Sequence, residues 1–248
     1  MLRRPLAPAP VCGIPASASG LRCGLAQHPL WAISAAMQRV VLIDYGSGNL
    51  RSAQKALLRA AAQSGVDSEI VVSAQPAAIA AASRIVLPGV GAFGACMAGL
   101  AAIPQLLPAL THAVKTRQVP FLGICVGMQL LATSGHEFGV HPGLGWIGGK
   151  VERLSAPGLK IPHMGWNQLS FSAPHPLLAG IDEGADVYFV HSYVFNPDVQ
   201  KDVLARTDYG GPLTAMVARD NIAGTQFHPE KSQSIGLRLL ANFLSWQP

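Results

Sequence analysis

From Val40 onward, apolar runs of strand length alternate with helix-period patterns, and this alternation constrains the fold more than any other feature of the chain. The runs at 40–43, 69–72, 84–87 and 120–124 are short and apolar, with helical stretches between them. Parallel strands need a crossover long enough to hold a helix, so the pattern predicts βαβ units and an α/β fold. Asn49 stands where a helix N-cap is expected, and Leu50, Ala53, Leu57 and Leu58 are spaced to share one helical face. The second half changes character. Candidate strands at 187–195, 203–207, 214–217 and 222–227 are separated by short turns of Asn, Asp, Gly and Pro, which predicts partly antiparallel pairing. An amphipathic helix is expected over 234–246, and the sequence contains no internal repeat.

A chain of 248 residues is long enough for one α/β domain with a full core and too short for two large ones. Residues 1–36 lack periodicity and are rich in Pro, Ala and Gly, so the domain is placed at 37–248. The leader carries arginine and serine but no acid, as an organelle transit peptide does. Pro5, Pro8, Pro10 and Pro15 oppose the amphipathic helix such a peptide forms, which favours a disordered tail or an over-extended start. The net charge of +5 owes much to Arg3, Arg4 and Arg22 of this leader. Without them, 15 of the 18 basic residues face 13 acidic ones, which gives little support to nucleic-acid binding. Cys12 and Cys23 also belong to the leader. Cys96 and Cys125 in the body form neither a disulfide framework nor a metal-ligand pattern, which fits a reducing, cytoplasmic compartment. The longest apolar run, 119–132, contains Gly123 and Gly127 and falls short of the roughly 20 residues that cross a bilayer, so no membrane association is expected.

Three stretches could carry chemistry. In Gly123-Ile124-Cys125-Val126-Gly127 an apolar strand runs through a tight turn into a helical pattern, the arrangement of a nucleophile elbow. The start of the following helix favours a thiolate through its N–H groups and positive dipole end. The alternative is a buried structural cysteine. In Gln226-Phe227-His228-Pro229-Glu230, an imidazole and a carboxylate lie two residues apart, so that on an extended segment both can lie on one side. A cysteine nucleophile needs such a base, and the base needs an acceptor to fix its tautomer. In Pro88-Gly89-Val90-Gly91-Ala92-Phe93-Gly94, glycines follow a strand without the spacing of a P-loop or a dinucleotide fingerprint. The backbone of Val90 and Gly91 is therefore a candidate to complete an oxyanion hole with the amide of Val126. The alternative is an ordinary strand-to-helix turn.

Taken together, these stretches resemble the class I glutamine amidotransferases. More narrowly, they are similar to the glutaminase subunits of imidazole glycerol phosphate synthases, through Asp44-Tyr45-Gly46-Ser47-Gly48-Asn49-Leu50, Pro162-His163-Met164-Gly165-Trp166-Asn167, His191-Ser192-Tyr193 and the stretches above. The resemblance runs from about Arg39 to the C-terminus. It implies a three-layer, flavodoxin-like fold with a mixed sheet flanked by helices. It also implies a triad of Cys125, His228 and Glu230, with a γ-glutamyl thioester on Cys125 and ammonia as the leaving group. Substrate L-glutamine is implied to lie among Gln129, Glu137, Ser192 and Tyr193. No cofactor and no metal are implied. The family passes its ammonia to a (β/α)8-barrel cyclase subunit in a heterodimer, which makes imidazole glycerol phosphate and the aminoimidazole carboxamide ribonucleotide of histidine biosynthesis. Asn49, Met164, Trp166 and Lys231 would face that partner, although Met164 and Trp166 fit core packing equally well when the sequence is read unaided. The resemblance further implies low activity until the cyclase binds its ligand, with the Gly89-Val90 peptide turning its N–H toward the oxyanion. A glutaminase subunit of another class I amidotransferase (for anthranilate, aminodeoxychorismate or pyridoxal phosphate), a non-catalytic scaffold on the same fold and a cysteine peptidase are the rival readings.

Overall fold

The computed structural model describes residues 37–46 and 48–248. The expectations for the 1–36 leader lie outside the described residues. The first half reads β1 (Gln38–Ile43), α1 (Leu50–Ser64), β2 (Ser68–Ser73), α2 (Pro76–Ala80), β3 (Arg84–Gly89), α3 (Phe93–Ala102), α4 (Leu106–Thr111), β4 (Phe121–Cys125) and the single turn α5 (Val126–Gln129). The second half adds β5 (Ser134–Gly135), β6 (His141–Pro142), β7 (Gly149–Arg153), β8 (His163–Gln168), β9 (Ser170–Phe171), β10 (Asp186–His191), β11 (Tyr193–Pro197), β12 (Val203–Asp208), β13 (Pro212–Arg219), β14 (Ile222–Thr225) and α6 (Gln233–Ser245).

The main sheet has eight strands in the order β2-β1-β3-β4-β14-β13-β12-β9. The four strands expected in the first half pair in parallel, and β14 joins β4 in parallel. Strands β12, β13 and β14 turn back antiparallel to one another, so the expected mixed sheet is present. Every residue of β3 and β4 is buried, as a strand covered on both faces requires. Right-handed crossovers explain the layers. The chain moves outward from β1 to β2 and then crosses back over β1 to β3, so α1 and α2 fall on opposite faces. Helix α6 packs against α1, while α4 packs against α2 and α3, which gives helices, sheet and helices in three layers. The reversal of direction beside β1 opens a crevice at the carboxyl ends of the strands, where α/β sheets hold their ligands.

Several local expectations change. Helix α1 buries Ala53, Ala56, Leu57, Ala60 and Ala61, whereas Leu58 is 48% exposed. Small alanines let the helix lie close to the sheet, and a position one residue past Leu57 turns by a hundred degrees toward solvent. Asn49 does precede α1, but its side chain makes no capping hydrogen bond. The strand expected over 187–195 is two strands: β10 pairs antiparallel with β8, and β11 pairs antiparallel with β7 in a separate four-stranded sheet. Ser192 is the residue between them, where the chain changes partners. Among the described residues no single helix is long and apolar enough to cross a membrane.

Candidate active site

The strand β4 delivers Cys125 to the carboxyl edge of the sheet, and the chain turns there with φ 55° and ψ −112°. A non-glycine residue at this φ is strained, and an elbow keeps such strain because its surroundings leave no alternative. Gly127 shows how close those surroundings are: a Cβ on it would lie 1.8 Å from the Leu87 carbonyl oxygen. A Cβ on Gly123 would lie 2.4 Å from the Gly127 carbonyl oxygen. Both flanking glycines are therefore demanded by backbone contact. The helix that follows is only the turn Val126–Gln129, so the dipole expected of a long helix is small and any help to a thiolate is local.

On the neighbouring strand, β14 ends at Thr225 and the chain continues through Gln226 and Phe227 to His228. His228 Nδ1 and Glu230 Oε1 are 2.8 Å apart, with both side chains almost fully buried. Residues Pro229–Lys231 form one 3-10 turn rather than the extended segment anticipated, because Pro229 sits in its first turn with φ already set. The turn folds Glu230 back beneath the imidazole. Ser232 closes it, donating its hydroxyl to the His228 carbonyl at 2.7 Å. Burial opposes a charge on His228, yet hydrogen bonds to Cys125 and Glu230 and their negative charge outweigh it and raise its pKa to about 10. The imidazole thus sits between a sulfur and a carboxylate, where a base serving a cysteine nucleophile would stand. The second Glu230 oxygen is buried without a partner among the described residues.

A cleft of about 350 Å³ opens over this group. Cys125, Val126, His228, Val90, Gly91, Gln129, Glu137, Ser192 and Tyr193 all reach it, so residues far apart in sequence converge. Asn49 and Lys231 stand on its wall. Met164 and Trp166 lie outside it on β8, 61% and 48% exposed, which removes the core-packing reading. The Val90 carbonyl accepts the Cys96 thiol at 3.5 Å, and Gly91 has φ 103°. Glu137 accepts the backbone N–H of Phe93 at 2.7 Å and so ties its own loop to the turn after β3. Gln129 donates both amide hydrogens inward, to the Tyr193 carbonyl at 3.1 Å and to Gln226 Oε1 at 2.9 Å, leaving its own Oε1 for a ligand. Gln226 in turn points its Nε2 at the Cys125 sulfur, 3.7 Å away. In the sequence, Gln226 stands only as part of the stretch from Gln226 to Glu230, with no role of its own. Its position beside His228 on the same strand end was the available signal. Among the described residues no group of three or more His, Cys, Asp or Glu side chains could hold a metal ion.

Comparison with known proteins gives the arrangement its family. The model of the class I glutamine amidotransferases matches residues 41–246. Imidazole glycerol phosphate synthase subunit HisH of Rhodospirillum rubrum is 62% identical over 213 residues, covering 85% of this chain and all of that protein. The HisH protein of Caulobacter vibrioides, which bears the same name, is 59% identical over 214 residues, covering 86% of this chain and all of the relative. Among solved structures, a glutamine amidotransferase aligns with a TM-score of 0.63 at 20% identity over 83% of this chain and 97% of that one. Another glutamine amidotransferase, from Thermotoga maritima, aligns with a TM-score of 0.52 at 16% identity, covering 78% of this chain and 76% of that one; at these identities the two likenesses show the fold. The chain therefore belongs to the class I glutamine amidotransferase family, among the HisH subunits of imidazole glycerol phosphate synthase.

Proposed function

We propose that this protein is the glutaminase subunit of a cytoplasmic imidazole glycerol phosphate synthase, supplying ammonia to a (β/α)8-barrel cyclase within a heterodimer. The observation that carries the reading is the buried His228–Glu230 pair set against a cysteine in a strained elbow. The Cys125 thiolate attacks the side-chain carbonyl carbon of glutamine, and the carbonyl oxygen takes up the negative charge. The Val126 amide and the backbone of Val90 and Gly91 are the donors for it. His228 gives its proton to the amide nitrogen as the C–N bond breaks, which releases ammonia and leaves a γ-glutamyl thioester. A water then gives its proton to His228 and its hydroxide to the thioester. Glutamate departs, and the thiolate and imidazolium are restored. Glu230 holds His228 in one tautomer throughout.

Glutamine itself is bound by Gln129 Oε1, by Glu137 toward the α-ammonium and by the Ser192 and Tyr193 backbone toward the α-carboxylate. The partner face is Asn49, Met164, Trp166 and Lys231. Support for it comes from Trp166, whose ring meets Tyr188 edge-on at 5.9 Å while Lys231 Nζ, on the wall of the cleft, lies 5.5 Å from the centre of the Tyr188 ring, so Tyr188 links the exposed Trp166 to a cleft residue. The test is glutamate release from glutamine with and without the cyclase and its ribonucleotide ligand. Release that rises when both are added is expected, and no release under any condition refutes the proposal.

A further inference from the structure

His163 and His191 have no part in the chemistry above, yet they are register partners on β8 and β10 and bond ring to ring, His163 Nδ1 to His191 Nε2 at 2.9 Å. His163 lies stacked between Phe189, at 4.7 Å, and Tyr209, at 4.0 Å. The hydrogen bonds around the pair fix every proton. Asn167 accepts the Gln168 N–H at Oδ1 and donates Nδ2 to the Asp208 carbonyl, so Nδ2 is a donor. That nitrogen also lies 3.2 Å from His163 Nε2, which must then accept. His163 carries its proton on Nδ1 and donates to His191, and His191 carries its own on Nδ1 and donates to the Tyr193 carbonyl at 2.8 Å. Burial lowers the pKa of both rings, that of His191 to about 4, in keeping with two neutral imidazoles. The same Tyr193 carbonyl receives Gln129 Nε2, whose other hydrogen orients Gln226 so that its donor meets the Cys125 sulfur.

We infer that His163 and His191 are positioning residues: the one-way hydrogen-bond chain that starts at Asn167 on β8 anchors the Tyr193 carbonyl, and through Gln129 it fixes the donor that Gln226 presents to Cys125. Strand β8 also carries Met164 and Trp166, so the head of the chain lies on the strand of the partner face proposed above; the chain of donors itself does not rest on that face.

Two measurements test it on the full-length protein without glutamine or partner. In wild type, long-range 1H–15N spectra are expected to place the proton of both rings on Nδ1; an Nε2–H tautomer at His191 overturns the inference. His163→Phe keeps the stack and removes the donor, and His163→Asn keeps a donor near the Nδ1 position. Alkylation of Cys125 by iodoacetamide at pH 7 should slow by about tenfold in His163→Phe, the scale of one lost hydrogen bond to a charged sulfur, and recover in His163→Asn. Equal rates in all three proteins overturn it. With the cyclase added, the Phe variant should lower kcat for glutaminase by more than it raises KM, since the donor to the sulfur acts in the transition state while Gln129 and Tyr193 also hold the substrate. A change in KM alone overturns the assignment. Wild type that releases no glutamate counts against the proposed function, and the alkylation rates and tautomers still decide this inference.

Discussion

Gly89 stands directly across the parallel β3–β4 ladder from Cys125. The turn expected to bind the oxyanion is therefore fixed in register with the nucleophile. A Cβ on Gly89 would lie 2.8 Å from the Gly127 amide nitrogen and 2.8 Å from the Tyr45 hydroxyl. Gly89→Ala should thus cost about 1–3 kcal/mol of stability by overpacking and displace the elbow. Urea unfolding and stimulated glutaminase activity measure both effects. Wild-type values for both would show that the two backbones tolerate more space than the distances allow.

The strain at Cys125 separates stability from activity. Cys125→Ala and Cys125→Gly both remove the nucleophile and should each lower glutamate release by about 10⁴-fold or more. They should differ in stability. A β-carbon at φ 55°, ψ −112° is strained, whereas glycine adopts the mirror of extended backbone freely. The glycine variant is expected to be more stable than the alanine variant by about 1 kcal/mol. Chemical denaturation compares them directly, and a less stable glycine variant would mean that Cys125 is not under strain.

The pH dependence of stability follows from His228. Its pKa of about 10 in the folded protein lies above the ordinary 6.5, because hydrogen bonds to Cys125 and Glu230 outweigh the burial that opposes its charge. A group raised on folding stabilises fully below its unfolded pKa and loses that contribution as pH rises through the folded one. The melting temperature of wild type should therefore fall between pH 6.5 and 10. Glu230→Gln removes one of the two partners, so its decline in that window should be shallower. Parallel curves would show that the His228–Glu230 contact does not stabilise the imidazolium.

How much of this was legible in the sequence depends on whether a feature is written locally. The parallel strands were legible because a buried strand is an apolar run, and the elbow because its glycines flank a single cysteine. The proposed triad needs only two such runs to be adjacent, which β4 and β14 are. Leu58 was misassigned because a helical face is set by packing that one sequence does not show, and the strand break at Ser192, itself expected near the substrate, falls inside a run from Val187 to Phe195 that looks continuous. The roles of Gln226, His163 and His191 depend on side chains 28 to 101 residues apart meeting ring to ring or amide to sulfur, and no spacing rule encodes that. For Met164 and Trp166 the unaided sequence left core and partner face equally open, because apolar residues on a strand suggest burial until the covering layer is seen; their exposure decides against the core.

That exposure can be turned into a measurement of the partner face. Trp166 and Leu58 are each 48% exposed, so exposure alone does not distinguish them. What distinguishes them is setting. Trp166 is braced edge-on against Tyr188, whose ring also meets Lys231, whereas Leu58 lies on α1, about two and a half turns along the helix from Asn49. A rigid aromatic anchor of this kind is where binding energy concentrates, at about 2 kcal/mol or more per truncated side chain. Trp166→Ala is therefore expected to weaken binding to the cyclase by about thirtyfold, with the melting temperature of the free subunit little changed. Leu58→Ala should leave the affinity within about twofold. Titration calorimetry of each variant against the cyclase reads the difference. Equal losses at the two positions would remove Trp166 from the partner face and leave its exposure unexplained.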